Sequence, residues 1–195
     1  MKKLIIVLTI LLILGLQSCS ASLPPGFVSG TVTRVWDGDT VTLELEEPTS
    51  ITMPNQQEAV TLPRSLRIRL AGIDAPEHDQ YLGRQATNAL RYLVLHKAVT
   101  VQLLDQDKYH RHIARLYLPY TAEFPPPSPA VYDPGRDVGL EMLKKGLAWH
   151  YTYFDNHNPN YAAYTQAEKD AKHNQLGVWS EPSPIAPWDY RQKMH

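Results

Sequence analysis

The most informative segment of the sequence is one where an apolar strand pattern ends in charged side chains. Residues 69–77 read Arg-Leu-Ala-Gly-Ile-Asp-Ala-Pro-Glu, which brings Arg69, Asp74 and Glu77 close together. Carboxylate oxygens are the ligands that hard cations prefer, and a guanidinium grips phosphate through paired hydrogen bonds. The segment therefore predicts a phosphate group held beside a hard metal ion.

Two other segments offer the same chemistry. Asp37-Gly38-Asp39-Thr40 supplies carboxylates upstream, and Lys108-Tyr109-His110-Arg111 supplies cationic donors downstream. Each pattern is weak alone, because Asp-Gly-Asp is common in turns and Ala75-Pro76 ordinarily excludes helix. The three segments together predict one site only if the fold brings them to the same place.

The strands that must position these residues are short and rich in β-branched side chains. Alternation of polar and apolar residues predicts strands at 28–36, 40–46, 66–73, 99–103 and 113–118. Asp37-Gly38 predicts a hairpin turn between the first two. Residues 48–64 and 119–136 are predicted to be long loops, because they carry several prolines and lack regular periodicity.

Apolar residues at helical spacing predict three helices. The predicted ranges are 83–96, 138–143 and 160–173, and Gly146 follows the second where a C-terminal glycine cap belongs. Five short strands interleaved with three helices indicate an α+β fold in one domain.

The N-terminus has the pattern of a secretion signal. Lys2 and Lys3 precede an apolar run from Leu4 to Leu14, which is shorter than the roughly 20 residues needed to cross a bilayer. Leu16-Gln17-Ser18-Cys19 resembles the bacterial lipobox, in which cleavage precedes a lipid-modified cysteine. The sequence predicts a cleaved signal at 1–18 and a lipid anchor at Cys19. The alternative is an ordinary cleaved signal with an incidental cysteine.

The remaining chain is predicted to divide into a tether at 19–26, a folded domain at 27–181 and a C-terminal tail at 182–195. Cys19 is the only cysteine, so an intrachain disulfide is excluded. The formal net charge is −1, and cleavage would also remove Lys2 and Lys3. Any affinity for a polyanion must therefore come from a local cluster of cations.

Five motifs in this order resemble the staphylococcal nuclease (thermonuclease) family. They lie at residues 35–40, 68–77, 107–111, 146–149 and 176–180, so the resemblance covers residues 28 to 180. It implies a five-stranded OB-type β-barrel with three helices. It also implies a Ca²⁺-dependent phosphodiesterase that acts on DNA and RNA.

The resemblance implies roles for the acidic residues and for one backbone carbonyl. Asp39 and Asp74 match the metal carboxylates of the family, with the carbonyl of Ala75 as a further ligand. Glu77 matches the general base that deprotonates or orients the attacking water. Asp37 is expected to support the site by holding a metal-bound water or by capping the turn.

The resemblance also implies roles for cationic and aromatic residues. Arg69 and Arg111 match the two arginines that bind the reacting phosphate. Lys108 and Tyr109 match residues that contact a neighbouring phosphate. Tyr151 or Tyr153 is expected to stack on a base, but the register there leaves both open.

The sequence departs from the family pattern at two positions. His110 stands where the family usually has glycine before the second arginine, and Ala75 stands where it usually has threonine. Neither change removes a required side chain if the ligand at position 75 is a carbonyl. His110 is expected to alter the conformation of its loop or the substrate preference.

Three other functions remain open. A non-catalytic nucleic-acid-binding module of the same fold is the main alternative, although such relatives lose the residues that are present here. A zinc hydrolase is disfavoured because the chain has no His-Glu-x-x-His pattern and no cysteine pair. A purely structural envelope lipoprotein would leave the charged strand end unexplained. An extracytoplasmic, membrane-anchored monomer is expected.

Overall fold

The computed structural model describes residues 23–53, 57–121, 135–154 and 158–194. The predicted signal, residues 19–22 of the predicted tether with Cys19, and residues 122–134 of the predicted loop at 119–136 lie outside these ranges. Within them, no helix has the length and apolar character needed to cross a membrane.

The secondary structure alternates short strands with helices. In chain order the elements are β1 (Phe27–Val35), β2 (Thr40–Glu44), β3 (Thr49–Thr52), β4 (Ala59–Leu62), β5 (Ser65–Leu70), β6 (Ile73–Asp74), α1 (Gly83–Val94), β7 (Ala98–Gln106), β8 (His112–Leu118), β9 (Arg136–Asp137), α2 (Val138–Lys144), β10 (Trp149–His150), α3 (Tyr161–His173) and α4 (Pro187–Met194). Short 3₁₀ turns cover Thr152–Phe154 and Gly177–Ser180.

Five of the strands form a closed barrel. Their order is β5-β2-β1-β7-β8, and the pairing of β5 with β8 closes the ring. Neighbours are antiparallel except at this closure, where β5 and β8 run parallel. The predicted α+β fold with a five-stranded OB-type barrel is confirmed.

The inward face of the barrel is apolar, as the alternation in the sequence predicts. Along β1, Val28 and Val32 are buried while Ser29 and Thr31 are exposed. Gly30 lies where β1 crosses β2, and a Cβ there would meet the Glu44 carbonyl oxygen at 2.5 Å. Fully buried core residues include Leu43, Ile68, Leu90, Leu103, Leu116 and Met142.

The prediction that residues 48–64 form a loop is wrong in part. β3 and β4 pair with each other as a separate two-stranded hairpin, in the register Thr49↔Leu62 to Thr52↔Ala59. Each strand has four residues and only one of them is buried, Ile51 in β3 and Leu62 in β4. An alternation this short gives little periodic signal, because a half-buried strand is recognised over about four to eight residues.

The predicted strand at 66–73 is interrupted. β5 ends at Leu70, and Gly72 then takes a φ of 74°, a left-handed conformation that glycine adopts without a steric penalty. The chain resumes as β6, which leaves the barrel and pairs with β10. The apolar residues on both sides of the break hide it from a pattern based on hydrophobicity.

The described chain has four α-helices, one more than predicted. α1 and α3 begin or end within two residues of the predicted bounds, and Gly146 has a φ of 63° after α2, as expected for a C-terminal cap. The additional helix is α4, in the segment predicted to be a tail. α4 has eight residues, of which only Pro187 is buried, so it has almost no apolar face to detect.

Candidate active site

The turn between β1 and β2 fixes the first carboxylates. Asp37 Oδ1 accepts a hydrogen bond from the Asp39 N–H at 3.0 Å, and the Thr40 hydroxyl donates to Asp39 Oδ1 at 3.1 Å. Gly38 packs against α1 and the strand-end segment, since a Cβ there would lie 2.5 Å from the Cβ of Ala75 and 3.0 Å from that of Ala86. Only glycine allows the turn to sit this close.

One guanidinium joins the two predicted metal carboxylates. Arg69 Nη1 lies 3.0 Å from Asp39 Oδ2, and Arg69 Nη2 lies 2.8 Å from Asp74 Oδ1. Asp39 Oδ2 also accepts the Ala75 N–H at 2.8 Å. Asp39 and Asp74 are 6% and 1% exposed, so these carboxylates are held together in a buried site.

The barrel register explains how residues distant in sequence meet. Thr40 pairs with Arg69 across β2 and β5, which sets Asp39 beside that arginine. Ile68 pairs with His112 where β5 and β8 close the barrel. Because Arg111 directly precedes His112, the closure brings the second arginine to the same end of β5.

A short loop orients Arg111 before β8. The carboxylate of Asp107 accepts hydrogen bonds from the Tyr109 N–H at 2.9 Å and from the Arg111 N–H at 3.0 Å. Its Oδ2 atom lies 2.8 Å from both Nε and Nη2 of Arg111. His110 has a φ of 61°, so this residue takes a left-handed conformation where glycine would be unstrained.

These residues surround one cavity of about 730 Å³. The predicted site residues that line it are Asp39, Arg69, Asp74, Ala75, Glu77, Lys108, Tyr109, Arg111 and Tyr151, and Asp37, Arg67 and Arg191 line it as well. Lys108 and Tyr109 lie at the exposed rim, where the ammonium of Lys108 is 5.1 Å from the tyrosine ring.

The structure distinguishes the two tyrosines that the sequence left open. β6 pairs with β10 in the register Asp74↔Trp149, and the Tyr151 N–H donates to the Gly72 carbonyl at 2.9 Å. Tyr151 therefore lines the cavity beside Asp74. Tyr153 does not line it; the residue is 72% exposed and its ring centroid lies 6.3 Å from that of Tyr151.

Glu77 contacts a residue of the C-terminal helix α4, which the sequence did not predict. Its Oε1 atom lies 2.6 Å from Nη1 of Arg191, a residue of α4. The same guanidinium reaches Asp74 through Nη2 at 2.7 Å and Nη1 at 3.2 Å. A segment predicted to be a tail therefore contributes a further arginine to the site, beside Arg67, Arg69 and Arg111.

The electrostatics follow from burial and from these pairs. Burial, together with repulsion from Asp39, raises the pKa of Asp37 to about 6. Burial also raises the pKa of Asp74, although Arg191 and Arg69 act in the opposite direction. Partial burial acts to raise the pKa of Asp107, but hydrogen bonds from Arg111 outweigh it and lower that pKa.

The donor set suits a hard cation. Asp39 and Asp74 offer carboxylate oxygens close to the backbone of Ala75, and Ca²⁺ takes about six to eight oxygen ligands in flexible geometry. Among the described residues, no three His, Cys, Asp or Glu side chains are grouped so as to hold a metal ion. Water and substrate phosphate would therefore have to complete the coordination, which a catalytic site permits.

Sequence reasoning missed two cationic residues of the cavity. Arg67 could have been found, because it precedes Arg69 by two positions in a strand and so points to the same face. Its guanidinium lies 4.5 Å from the ring of Trp36. Arg191 carried no such signal, since nothing in the sequence of α4 indicates which element it packs against.

Comparison with known proteins supports the family resemblance that the sequence motifs indicate. The family profile described as "Staphylococcal nuclease homologue" matches residues 67–181. An uncharacterized endonuclease of Escherichia coli O157:H7 is 30% identical over 166 residues, covering 85% of this chain and 86% of the relative. A protein of Shigella flexneri named micrococcal nuclease is 30% identical over 167 residues, covering 84% and 80%.

Plant proteins match over a smaller share of their own length. A probable staphylococcal-like nuclease of Oryza sativa subsp. japonica is 35% identical over 140 residues, covering 72% of this chain. The chain spans just over a third of that relative and of a 38.1 kDa protein of Capnoides sempervirens.

Proposed function

Because this chain belongs to the staphylococcal nuclease family, we propose that it is a Ca²⁺-dependent nuclease. It hydrolyses phosphodiester bonds of DNA and RNA with little sequence specificity. The observation that carries this proposal is the Arg69 bridge between Asp39 and Asp74 in a cavity that Arg111 and Glu77 also line. A structural protein would have no need to bury these charges together.

Asp39, Asp74 and the carbonyl of Ala75 are the residues that would hold Ca²⁺. When bound, this ion supplies positive charge to the phosphate oxygens and acidifies a water molecule. Asp37 supports the turn that carries Asp39, because its carboxylate accepts the Asp39 N–H.

Arg69 and Arg111 bind and polarise the reacting phosphate. A planar guanidinium can donate two parallel hydrogen bonds to phosphoryl oxygens, which lysine cannot do. Asp107 fixes the plane of the Arg111 guanidinium by contacting Nε and Nη2. Arg111 also stabilises charge on the leaving oxygen by hydrogen bonding, since a guanidinium stays protonated in proteins and does not give up its proton fully.

Glu77 accepts a proton from the attacking water. Its side chain is 38% exposed at the edge of the cavity, so it can reach both solvent and a bound phosphate. General-base catalysis contributes a factor of about 10² to 10⁴, whereas such hydrolysis requires a barrier reduction on the order of 20 kcal/mol. Charge stabilisation by the arginines and the cation must therefore supply much of the remainder.

The groups around the cavity favour contacts that do not depend on the nucleotide sequence of the substrate. Lys108 and Tyr109 lie where they can contact a neighbouring phosphate, and Tyr151 offers a ring on which any base can stack. Contacts of this kind can form with both DNA and RNA, because they are made to the phosphate and to the face of the base, which both nucleic acids have.

We further propose that the protein is an extracytoplasmic lipoprotein that acts as a monomer. The lipobox-like segment at residues 16–19 and the preceding apolar run support this location. Two acyl chains at Cys19 would give stable anchoring, where one chain is marginal.

The test is to incubate the purified protein with single-stranded DNA and with RNA, in Ca²⁺ or in chelator. Cleavage of both substrates that is lost in chelator is the expected result. Binding of the oligonucleotides without Ca²⁺-dependent cleavage would replace this proposal with a non-catalytic binding module.

A further inference from the structure

The C-terminal helix reaches the active-site carboxylates through a single side chain. Both terminal nitrogens of Arg191 contact Asp74, at 2.7 Å and 3.2 Å, and one of them also contacts Glu77. The family profile ends at residue 181, so this contact comes from beyond the matched region. Arg191 is thus a component of the site that the family profile does not cover.

Several contacts fix α4 over the site. The ring of Trp188 lies 5.6 Å from that of Tyr151, and the Gln80 side chain donates to the Ile185 carbonyl. Ala186 is buried in a cluster with Trp149 and Val178. These contacts come from the β10 side of the cavity and from the segment before α1, so they hold Arg191 near Asp74.

Arg191 contacts the Asp74 oxygens that a cation would use. Nη2 contacts Oδ2 of Asp74, and Nη1 contacts Oδ1, which also accepts Arg69 Nη2. Both oxygens of this 1% exposed aspartate are therefore engaged by guanidinium groups. A divalent cation at the same carboxylate would be repelled by Arg191 at close range, in a site where water screens charge poorly.

We propose that Arg191 sets the cation affinity of the active site by competing with Ca²⁺ for the Asp74 carboxylate. This inference rests on the proposed function, because it takes Asp74 as a Ca²⁺ ligand. Ca²⁺ binding then requires the guanidinium to give up at least part of its pairing. The result is a weakened site, of the kind that responds to the roughly 10⁻⁴ to 10⁻³ M Ca²⁺ at which extracellular modules work.

The pair also couples the proposed cation site to the C-terminal helix α4. If Arg191 weakens Ca²⁺ binding, then bound Ca²⁺ must weaken the hold of Asp74 on Arg191 by the same factor. Couplings between sites commonly change affinity about 5- to 150-fold. Because Arg191 is 43% exposed, the lower end of that range is expected.

The test measures Ca²⁺ binding by titration calorimetry on the purified full chain without substrate, at fixed ionic strength. Arg191→Ala is expected to tighten Ca²⁺ binding at least about fivefold relative to wild type. Arg191→Gln, which keeps length and polarity but removes the charge, should show the same direction. It also covers the case in which the alanine variant fails to fold.

Lys193→Ala is the matched control, because Lys193 is an exposed cation on the same helix. It removes the same charge and should change the affinity less than twofold. Equal affinities in Arg191→Gln and Lys193→Ala, or weaker binding in Arg191→Gln, would overturn the inference. If the wild type cleaves with Ca²⁺ in that case, the proposed function survives; if no variant binds Ca²⁺, both fall.

Discussion

The carboxylate of Glu77 lies 2.6 Å from the guanidinium of Arg191, although 114 positions separate the two residues. This contact joins the segment after β6 to the last helix of the domain. It also defines the position of the side chain that we assign as the general base.

Glu77→Gln is expected to lower kcat by at least about 10² while leaving oligonucleotide affinity nearly unchanged. Glutamine keeps the size of the side chain and an oxygen that can accept from Arg191, but it cannot take a proton from water. Steady-state kinetics and equilibrium binding with a labelled oligonucleotide would measure the two effects. Glu58→Gln, on the exposed β3–β4 hairpin, is the control and should keep full activity. Wild-type turnover in Glu77→Gln would remove Glu77 from the mechanism.

Asp37→Asn is expected to stabilise the protein in a pH-dependent manner. Burial and the neighbouring Asp39 raise the pKa of Asp37 from 3.8 to about 6, so the folded chain binds a proton there that the unfolded chain releases. The free energy of unfolding therefore falls as pH rises from about 4 to about 6. The substitution removes this cost. It should therefore raise the free energy of unfolding by about 1–3 kcal/mol above pH 6 and leave it unchanged below pH 4.

Urea unfolding at pH 4 and pH 7 in chelator would measure the Asp37 effect. Asp105→Asn serves as the control, because Asp105 is an exposed residue of β7. If Asp37→Asn raises the free energy of unfolding by the same amount at both pH values, then repacking, and not the titration of Asp37, causes the stabilisation.

Substitutions at His110 are expected to change the free energy of unfolding according to how readily the new residue adopts a positive φ. The residue has a φ of 61°, a conformation that costs a non-glycine residue about 1–2 kcal/mol. His110→Gly should therefore keep or raise the free energy of unfolding. His110→Val should lower it by about 1–2 kcal/mol and disturb the Asp107–Arg111 contact, with His110→Ala in between. Urea unfolding would measure the change in stability, and KM would report the disturbed Asp107–Arg111 contact. Equal stability of the Gly and Val variants would contradict the strain argument.

Cys19→Ala is expected to abolish lipid modification and release the protein from the membrane fraction. Because Cys19 is the only cysteine in the chain, any lipid that is attached through a cysteine sulfur must be attached there. Labelling cells with a radioactive fatty acid and fractionating them would test this. An unlabelled wild-type protein whose N-terminus begins elsewhere would indicate an ordinary secretion signal.

Alternation in the sequence was long enough to predict the strands that Asp39, Arg69 and Arg111 flank. The barrel and the convergence of these residues on one site were implied by the resemblance of the motifs to the nuclease family. The break at Gly72 was not predicted, because apolar residues continue across it and a positive φ leaves no periodic signature. Arg191 was not predicted because its place depends on how Trp188 and Ala186 pack against distant elements.

The parallel pairing of β5 with β8 gives the domain a long-range closure, with Ile68 beside His112. Such contacts form late, because loop closure must precede them. A nascent chain that has emerged only as far as β6 carries Asp39, Arg69 and Asp74 but has no Arg111 beside them. These four charged residues can therefore come together only after the start of β8 has been synthesised, and a chain truncated before Arg111 cannot hold the complete set.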